Sequence, residues 1–262
     1  MAMGIEFVNK CPEFNKNNLF ELYNILSKDC LDDEDKLLEG YYYRHDGVEV
    51  DNYKGCPVDK IEECMNSLFD FVNKNIKNYD LRYYLPHIVH YYIVYIHPYF
   101  DYNGRTARMV SYWISLLINS TFLPPLISEA INLTKRNYYF SLRESRDSYN
   151  DITYFMLYIY KTSINYFLIY KNIENIEENL KQKEIILTKS DIFYLKAILI
   201  NTTDKFIYDD LIKWTKINMS KQAALKILNY FEKCNILSSF KYSNKKIFSL
   251  NSECLKYKLI KQ

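Results

Sequence analysis

The chain of 262 residues is long enough for one domain of ordinary size and a smaller second one. Its hydrophobic fraction of 48% and charged fraction of 25% are typical of a soluble globular protein, and its net charge of +2 excludes bulk electrostatic attraction to nucleic acid or membranes. The six cysteines form no CxxC pair and no zinc-type spacing with histidine, which favours reduced thiols in a cytoplasmic protein. The most apolar long stretch, 154–170, is shorter than the roughly 20 residues of a bilayer span, so we expect no membrane contact.

Few breaking residues and a regular apolar spacing predict a mainly helical chain. With only 5 Gly and 6 Pro, long helices are favoured. In the first part of the chain we predict helices over residues 15–28, 57–72, 81–96 and 105–118. The run 40–51 differs, because β-branched and aromatic residues surround Asp46-Gly47, a pair typical of the turn of a β-hairpin.

The second part of the chain begins with a break at Pro124-Pro125. Two further helices are predicted over 126–149 and 151–170, and the charged segment 172–183 is expected to continue as a solvated helix or a linker. Beyond residue 188 we predict three short helices and two strands, over residues 190–200, 208–215, 220–234, 238–242 and 246–250. Three helices followed by a hairpin are typical of a winged-helix domain.

A candidate anion site lies where a helix is predicted to begin after Gly104, with Arg105 and Arg108 in its first turns. The start of a helix presents free backbone N–H groups and the positive end of the helix dipole, which favour anions. Gly104 allows the backbone to approach a phosphate closely, and two arginines three residues apart can both point toward one anion. This segment therefore predicts phosphate binding.

Two side chains just before this helix add a base and a metal ligand. His97 ends a buried helix and can accept a proton near neutral pH. Asp101 is a hard oxygen ligand that suits a Mg²⁺ ion held also by phosphates. Phosphoryl or nucleotidyl transfer requires these groups together with an anion site. His87 and His90 have no acidic partner nearby in sequence, so we interpret them as core residues and not as a metal site.

The stretch IHPYFDYNGRTARMV resembles the signature of the Fic family, HPFx(D/E)GNGRxxR, with Tyr99 in place of Phe. The positions that match outright are His97, Pro98, Asp101, Asn103, Gly104, Arg105 and Arg108. The resemblance covers about residues 40–170 and implies an all-α, Fic-type helical bundle with a small β-hairpin flap. We therefore predict a Fic domain over residues 1–183 and a winged-helix domain over residues 184–262.

What the resemblance implies is transfer of AMP from Mg-ATP to a Tyr, Thr or Ser hydroxyl of a target protein or of the chain itself. His97 would take the proton from the hydroxyl, and Asp101 would bind Mg²⁺. The nucleotide contacts implied are Asn103 and Gly104 for the α- and β-phosphates, Arg105 and Arg108 for the outer phosphates, and Tyr138 beside the base. The flap residues implied to hold the target as an added strand are Val48, Glu49 and Val50.

Tyr102 departs from the signature, because the family has its first Gly at that position. Its side chain would crowd the phosphate cradle or add a hydroxyl donor to it, which leaves the transferred group open, including a donor other than ATP. Gly104 favours nucleotidyl transfer, since the phosphorylating Doc branch has Lys there. The nearest copy of the family's inhibitory motif, Asp35 to Gly40, has Asp in place of Ser or Thr. The enzyme is then either uninhibited or inhibited by another chain or a divergent element.

A second hypothesis is a DNA-binding regulator that carries a degraded Fic site. The polar residues of the predicted winged helix that suit phosphate contacts are Lys221, Gln222, Lys226, Lys241, Lys245 and Lys246. Winged helices also serve protein contacts, so the partner of this domain is left open between DNA and protein. The oligomeric state is also left open, with a homodimer as one alternative.

Overall fold

The computed structural model describes residues 2–50, 53–119, 124–201 and 204–258. The chain divides into two compact units, Met1–Tyr160 and Lys161–Gln262. Across the described ranges, no helix combines the length and the apolar character that crossing a membrane requires. The expectation of a mainly helical chain with small antiparallel sheets is confirmed.

The first unit is a helical assembly with one short hairpin. Its helices are α1 (Ala2–Lys10), α2 (Lys16–Ser27), α3 (Val58–Asn75), α4 (Leu85–Ile96), α5 (Asn103–Leu117), α6 (Pro124–Leu133), α7 (Lys135–Asp147) and the start of α8 (Thr153–Lys181). The antiparallel strands are β1 (Glu49–Val50) and β2 (Tyr53–Lys54). Trp113 of α5 is fully buried in the core, where it donates to the Cys11 carbonyl at 2.9 Å and meets Phe14 edge to face. Its burial anchors the helix whose start carries the candidate anion site.

Two helical boundaries differ from the sequence prediction. The segment predicted as one helix over 126–149 is divided at Thr134, whose hydroxyl donates to the Ala130 carbonyl and lies 2.7 Å from the Tyr158 hydroxyl. The segment 172–183 is helical to Lys181 but is not fully solvated, because one stripe of it packs into the core of the second unit. That stripe consists of Ile173, Ile176 and Leu180.

The predicted hairpin turn at Asp46-Gly47 is wrong. The strands form over 49–50 and 53–54, so residues 40–48 precede the hairpin. The Asp46 carboxylate accepts from the Gly47 N–H at 2.6 Å, which makes a local turn, while the Arg44 N–H donates to the Pro98 carbonyl at 2.9 Å. These bonds direct the segment toward the loop after α4 and leave no strand partner across Asp46-Gly47. The other end of the predicted hairpin, Asp51, lies outside the described residues.

The second unit contains three helices in its described part beyond α8, together with a three-stranded sheet. The elements are α9 (Lys189–Asn201), β3 (Lys205–Phe206), α10 (Tyr208–Thr215), α11 (Lys221–Lys233), β4 (Leu237–Tyr242) and β5 (Lys245–Leu250). The sheet order is β3-β5-β4, with both pairings antiparallel. Ser220 caps α11 as expected, since its hydroxyl accepts from the Ala223 N–H at 3.2 Å. The helices and the hairpin agree with the predicted order, and the winged-helix assignment stays a prediction.

The units divide earlier than the boundary predicted between residues 183 and 184. The second half of α8 belongs to the second unit, because Ile169 and the stripe that follows it are buried in the same core as Leu228 and Phe231 of α11 and Phe248 of β5. The charge of this half of α8 made it resemble a linker in the sequence. Its apolar stripe is what attaches it to the second core.

Candidate functional site

A cleft of about 790 Å³ opens in the first unit beside the start of α5, the inner face of α7 and the β1–β2 hairpin. All residues predicted for the site line this cleft, except Val48 and Glu49. Val48 precedes the strand and its carbonyl accepts from the Gly55 N–H at 3.1 Å, whereas Glu49 is an exposed residue of β1. The structure therefore brings the predicted base, the metal carboxylate and the phosphate contacts to one cavity.

His97 ends α4 in a left-handed conformation, with φ 54° and its N–H donating to the Ile93 carbonyl at 3.0 Å. A side chain other than Gly in this conformation costs roughly 1–2 kcal/mol, so the neighbours must hold it there. The ring nitrogen Nδ1 lies 3.2 Å from the Val94 carbonyl, which can only accept. This contact assigns the proton to Nδ1 and leaves Nε2 as the nitrogen that can accept one.

The pKa of His97 is lowered from its usual value. Burial is the main cause, and the positive charges of Arg44 and Arg146 act in the same direction. The bond to the Val94 carbonyl and the charge of Asp101 oppose the shift without reversing it. The imidazole is therefore neutral at pH 7, which is the form a general base needs.

Asn103 supports the loop between His97 and α5 from within. Its Oδ1 accepts from the Tyr99 N–H at 3.0 Å and its Nδ2 donates to the Tyr99 carbonyl at 2.8 Å, with the side chain buried. The carboxamide expected to hold phosphate oxygens thus uses its oxygen and one N–H within the loop, and the contact of Asn103 with phosphate stays a prediction. Sequence reasoning missed the loop-bracing role, since its partner is the backbone four residues earlier.

Tyr102 precedes α5 in a left-handed conformation, with φ 65°, which is the conformation that Gly adopts without strain. Its N–H donates to Asp101 Oδ1 at 2.6 Å, and its ring packs in the first core with only 7% of its surface exposed. The Arg105 guanidinium lies over that ring, 4.3 Å from its centre. A hydrogen bond with Cys30 and burial raise the pKa of Tyr102, so its hydroxyl already has a partner. Tyr102 thus forms a wall of the cleft and a support for Arg105, and the cavity stays open beside it.

Gly104 and Arg108 lie close together in the first turns of α5. A Cβ at position 104 would lie 3.4 Å from an Arg108 terminal nitrogen, at the limit of ordinary contact, so Gly104 leaves that guanidinium unhindered. Arg108 is half-buried and lines the cleft, whereas Arg105 is exposed. The small residue therefore keeps one arginine near the free N–H groups of the helix start, as an anion site requires.

Tyr138 of α7 is buried, and its hydroxyl lies 3.0 Å from Nε2 of His90 in α4. Burial lowers the pKa of His90 well below its usual value and lowers that of His87 to about 4, so both rings are neutral and belong to the core. Within the described ranges, no three metal-ligating side chains of the His, Cys, Asp or Glu kind form a group. The Tyr138–His90 contact holds α7 against α4 and leaves a small part of Tyr138 facing the cleft.

Arg44 is a residue of the site that sequence reasoning missed. Its side chain is 2% exposed, and its three guanidinium nitrogens donate to three backbone carbonyls from separate segments. The acceptors are His97 at 2.8 Å, Asp46 at 2.5 Å and Cys56. Gly55 leaves room for this arrangement, since a Cβ there would lie 2.9 Å from an Arg44 nitrogen. Arg44 therefore joins both flanks of the hairpin to the residue proposed as the base, and no local pattern in YYYRHDG signals its burial.

Three arginines of α7 that line the cleft were also missed. They are Arg136, Arg143 and Arg146, which with Arg105 and Arg108 make five arginines against one carboxylate, Asp101, among the lining residues. Their helical spacing was visible in the sequence, but the face of α7 that borders the cleft was not. The cleft is therefore strongly positive along two of its walls.

The residues of the second unit that were predicted to suit phosphate contacts are mostly exposed. Lys221, Gln222 and Lys226 lie on α11, and Lys241 and Lys245 on the hairpin, all at the surface. Lys246 is different, because its ammonium binds Glu232 at 2.6 Å and Asn229 at 2.8 Å. Its charge is already compensated within the unit.

Comparison with known proteins places a family match on this part of the chain. Residues 13–115 match the model of the Fic/DOC family, so the chain carries a Fic/DOC family domain over these residues. The match includes His97 to Arg108 and ends before α7. No curated protein matches the chain. A crystal structure of a Fic family protein from Desulfovibrio desulfuricans G20 is similar at 18% identity and a TM-score of 0.49, with 95% of this chain and 72% of that chain covered.

Proposed function

We propose that the first unit is a Fic-type protein adenylyltransferase, which transfers AMP from Mg-ATP to a Tyr, Thr or Ser hydroxyl of a target protein or of the chain itself. The observation that carries the proposal is the position of His97, with Nε2 available, in the same cleft as the N–H groups and arginines that begin α5. The Fic/DOC family match over these residues supports nucleotidyl transfer as the class of reaction.

In the proposed reaction, Nε2 of His97 accepts the proton of the target hydroxyl as its oxygen attacks the α-phosphorus of ATP. A bond forms between that oxygen and phosphorus, the bond to the β-phosphate oxygen breaks, and pyrophosphate leaves with the electron pair. The N–H groups at the start of α5 and the guanidinium of Arg108 stabilise the negative charge on the phosphates. Arg105, supported by the Tyr102 ring, binds the outer phosphates as they depart.

Asp101 fits a magnesium ion that is held mainly by the substrate's phosphates. Its carboxylate is exposed in the cleft, and one oxygen accepts from the Tyr102 N–H, which orients the other. A single carboxylate is enough when phosphate oxygens and water complete an octahedral shell. When bound, the ion would neutralise phosphate charge and favour departure of pyrophosphate.

The hairpin supports target binding by strand addition. Among the described residues β1 pairs with β2 alone, and since Val48 bonds toward Gly55, the main-chain groups of Glu49 point to the other edge, where a strand could add. Val50 lines the cleft, which brings a strand added there close to His97. Val48 lies just outside the strand, and because its carbonyl already accepts from Gly55 it would contact the target through its side chain only.

The proposal is tested by the intact mass of the protein after incubation with Mg²⁺ and each nucleoside triphosphate in turn, alone and with a bacterial lysate as the source of targets. A mass increase of one AMP, on the chain or on a lysate protein, identifies the donor and the transferred group, and another increment would identify another donor. His97→Ala should lower the rate by at least about 10²-fold, the contribution expected of a general base. The matched control is His45→Ala, an exposed histidine outside the residues that line the cleft. Transfer that is unaffected by His97→Ala removes this residue from the mechanism.

The direction of the His97 pKa predicts the pH dependence of this transfer. Because the folded pKa lies below 6.5, His97 stays unprotonated on mild acidification, and the acid limb of the rate profile should have its midpoint below pH 6.5. The pH profile of kcat/KM between pH 5 and 8, measured at subsaturating Mg-ATP, tests this because it reports the free enzyme. A midpoint above 6.5 would contradict a buried, Arg44-flanked base.

A second candidate function rests on the second unit. The succession α9, β3, α10, α11, β4, β5 supports a winged helix, and the exposed lysines of α11 and of the hairpin would suit contacts with DNA phosphates. Lys221→Gln with Lys226→Gln should then weaken binding to genomic fragments and reduce its salt dependence. DNA binding without any binding of ATP would favour this function over the enzyme.

A further inference from the structure

The arginines of the cleft lie toward its two ends, with Arg108 of α5 at one end and Arg146 of α7 at the other. Tyr138 and Arg146 are eight residues apart, which corresponds to about 12 Å along a helix. At the Tyr138 end the cleft is bordered by Arg108 and the start of α5, where the polyphosphate is proposed to bind. The Arg146 end is bordered by the hairpin.

Arg146 is placed against the hairpin by a direct contact. Its guanidinium lies over the ring of Tyr53, 4.2 Å from the centre. Tyr53 is the residue of β2 that pairs with Val50 of β1, and its hydroxyl donates to the carbonyl of Tyr95, one residue before the end of α4. These contacts position the Arg146 charge beside the strand that is proposed to receive the target.

Arg143 lies three residues earlier on α7, so it shares this face of the helix and also lines the cleft. It is exposed, and its contact with Glu144 is a 3.4 Å surface pair of the kind that contributes little. Arg146 forms no ion pair with any residue in the described ranges. Two guanidinium groups therefore face the hairpin end of the cleft with N–H donors to spare.

We propose that the hairpin end of the cleft recognises an acidic segment of the target protein, with Arg143 and Arg146 binding carboxylates that flank the modified hydroxyl. The inference rests on the proposed function and names the class of target that its site prefers. Guanidinium groups pair with carboxylates through two parallel hydrogen bonds, which adds direction as well as charge attraction. Side chains alternate along a strand, so acidic residues two positions from the hydroxyl would point to the same side as it does.

The test uses the full chain and two fluorescein-labelled peptides of strand-forming sequence with one central Thr. One peptide carries Glu two positions before and after the Thr, and the other carries Gln there. Fluorescence anisotropy is measured with Mg²⁺ and saturating α,β-methylene-ATP, which cannot release pyrophosphate. The Glu peptide should bind about tenfold more tightly than the Gln peptide, and Arg143→Gln with Arg146→Gln should abolish the difference.

The matched control removes the same net charge elsewhere, with Lys74→Gln and Lys135→Gln, both exposed and outside the residues that line the cleft. It should retain the preference for Glu. Calorimetric titration of the nucleotide analogue keeps the two proposals apart, because the arginine variant should bind it as the native chain does. If the native chain transfers no nucleotide, the proposed function fails, while the preference for the Glu peptide can still be observed.

Five outcomes overturn the inference, the last of them in a separate oligonucleotide titration. The first four are equal affinity for the two peptides, no detectable binding of the Glu peptide, weaker binding of that peptide with the nucleotide analogue than without it, and equal preference loss in the control variant. Displacement by the analogue would assign Arg143 and Arg146 to the nucleotide site. Tighter binding of a short single-stranded oligonucleotide than of the Glu peptide, lost in the same arginine variant, would assign the surface to nucleic acid instead.

Discussion

The two hairpins of the molecule are held in place by different interactions. In the first unit β1 and β2 share two residue pairs, and the segment is fixed by the Arg44 guanidinium bonded to carbonyls on both sides of it. In the second unit β4 and β5 share six residue pairs, and Phe248 of β5 is buried in the core beneath them. A two-stranded hairpin is marginal by itself, so the short one depends on its tertiary attachment and the long one mostly on its own ladder and core.

The two units also differ in their histidines. All four histidines of the chain lie in the first unit, and two of them, His87 and His90, are buried in its core. The second unit has no histidine in its sequence, and the buried polar residues described in it, such as Asn172 and Thr215, carry no charge. The buried histidines of the first unit thus make its stability depend on pH, whereas the second unit has no histidine to do so.

The largest effect expected from this difference is that mild acid destabilises the first unit more than the second. His87 has a folded pKa of about 4 against 6.5 in the unfolded chain, so its contribution is complete above pH 6.5 and is lost as pH falls toward 4. The loss corresponds to about 3 kcal/mol, and His90 and His97, whose pKa values are also lowered, act in the same direction. The first unit should therefore unfold at lower urea concentration at pH 4.5 than at pH 7, by more than the second unit does.

The two tryptophans separate the units in this measurement, since Trp113 lies in the first and Trp214 in the second. Trp214→Phe leaves fluorescence from the first unit alone, and Trp113→Phe leaves that from the second. Carboxylates occur in both units and serve as the internal control for general acid effects. Equal loss of stability in the two units would show that the buried histidines do not set the difference.

Arg44→Met should detach the short hairpin and so test whether tertiary contacts hold it in place. The substitution keeps most of the apolar stem but leaves buried carbonyls without a donor, which is expected to lower the free energy of unfolding of the first unit by about 2 kcal/mol. Nucleotide transfer should fall as well, because the His97 carbonyl and the flap lose their common support. Urea unfolding followed by Trp113 and the transfer rate at saturating Mg-ATP measure the two effects.

The control for this variant is Arg143→Met, an exposed arginine of the same unit, which should change stability by less than about 0.5 kcal/mol. The second unit should unfold unchanged in both variants. If Arg44→Met leaves the transfer rate and the first transition as they are, the hairpin is held by something other than this guanidinium.

The features that could be predicted from the sequence are those determined by residues close together in the chain. The segment His97 to Arg108 is contiguous, so a base, a carboxylate and a helix start are close in space because they are close in the chain. Most helices of both units follow from apolar periodicity, although α1 was not predicted and the segment 126–149 is divided, and the cap at Ser220 follows from its own side chain. In these places secondary structure alone brings the relevant groups together.

The parts that were missed depend on partners distant in the chain. Arg44 is buried because carbonyls at 46, 56 and 97 meet around it, and the same bonds override the turn signal at Asp46-Gly47. The arginines of α7 acquire a role only when packing, through Tyr138 and His90, turns one face of that helix to the cleft. The strand β3 has two residues, too few to carry a period of its own.

The smallest expected effect tests the long hairpin at its turn. Ser243, between β4 and β5, has φ 55°, a conformation that Gly adopts at no cost and Ser does not. Ser243→Gly should therefore stabilise the second unit by about 0.5 kcal/mol, measured as a higher urea midpoint of the Trp214 transition in the Trp113→Phe chain. Lys241→Gly, at an exposed position one residue before the end of β4, should act in the opposite direction, because Gly weakens a strand whose backbone is already extended. If both substitutions destabilise equally, the ladder and not the turn limits this hairpin, and neither should alter the first unit, whose short hairpin depends on Arg44.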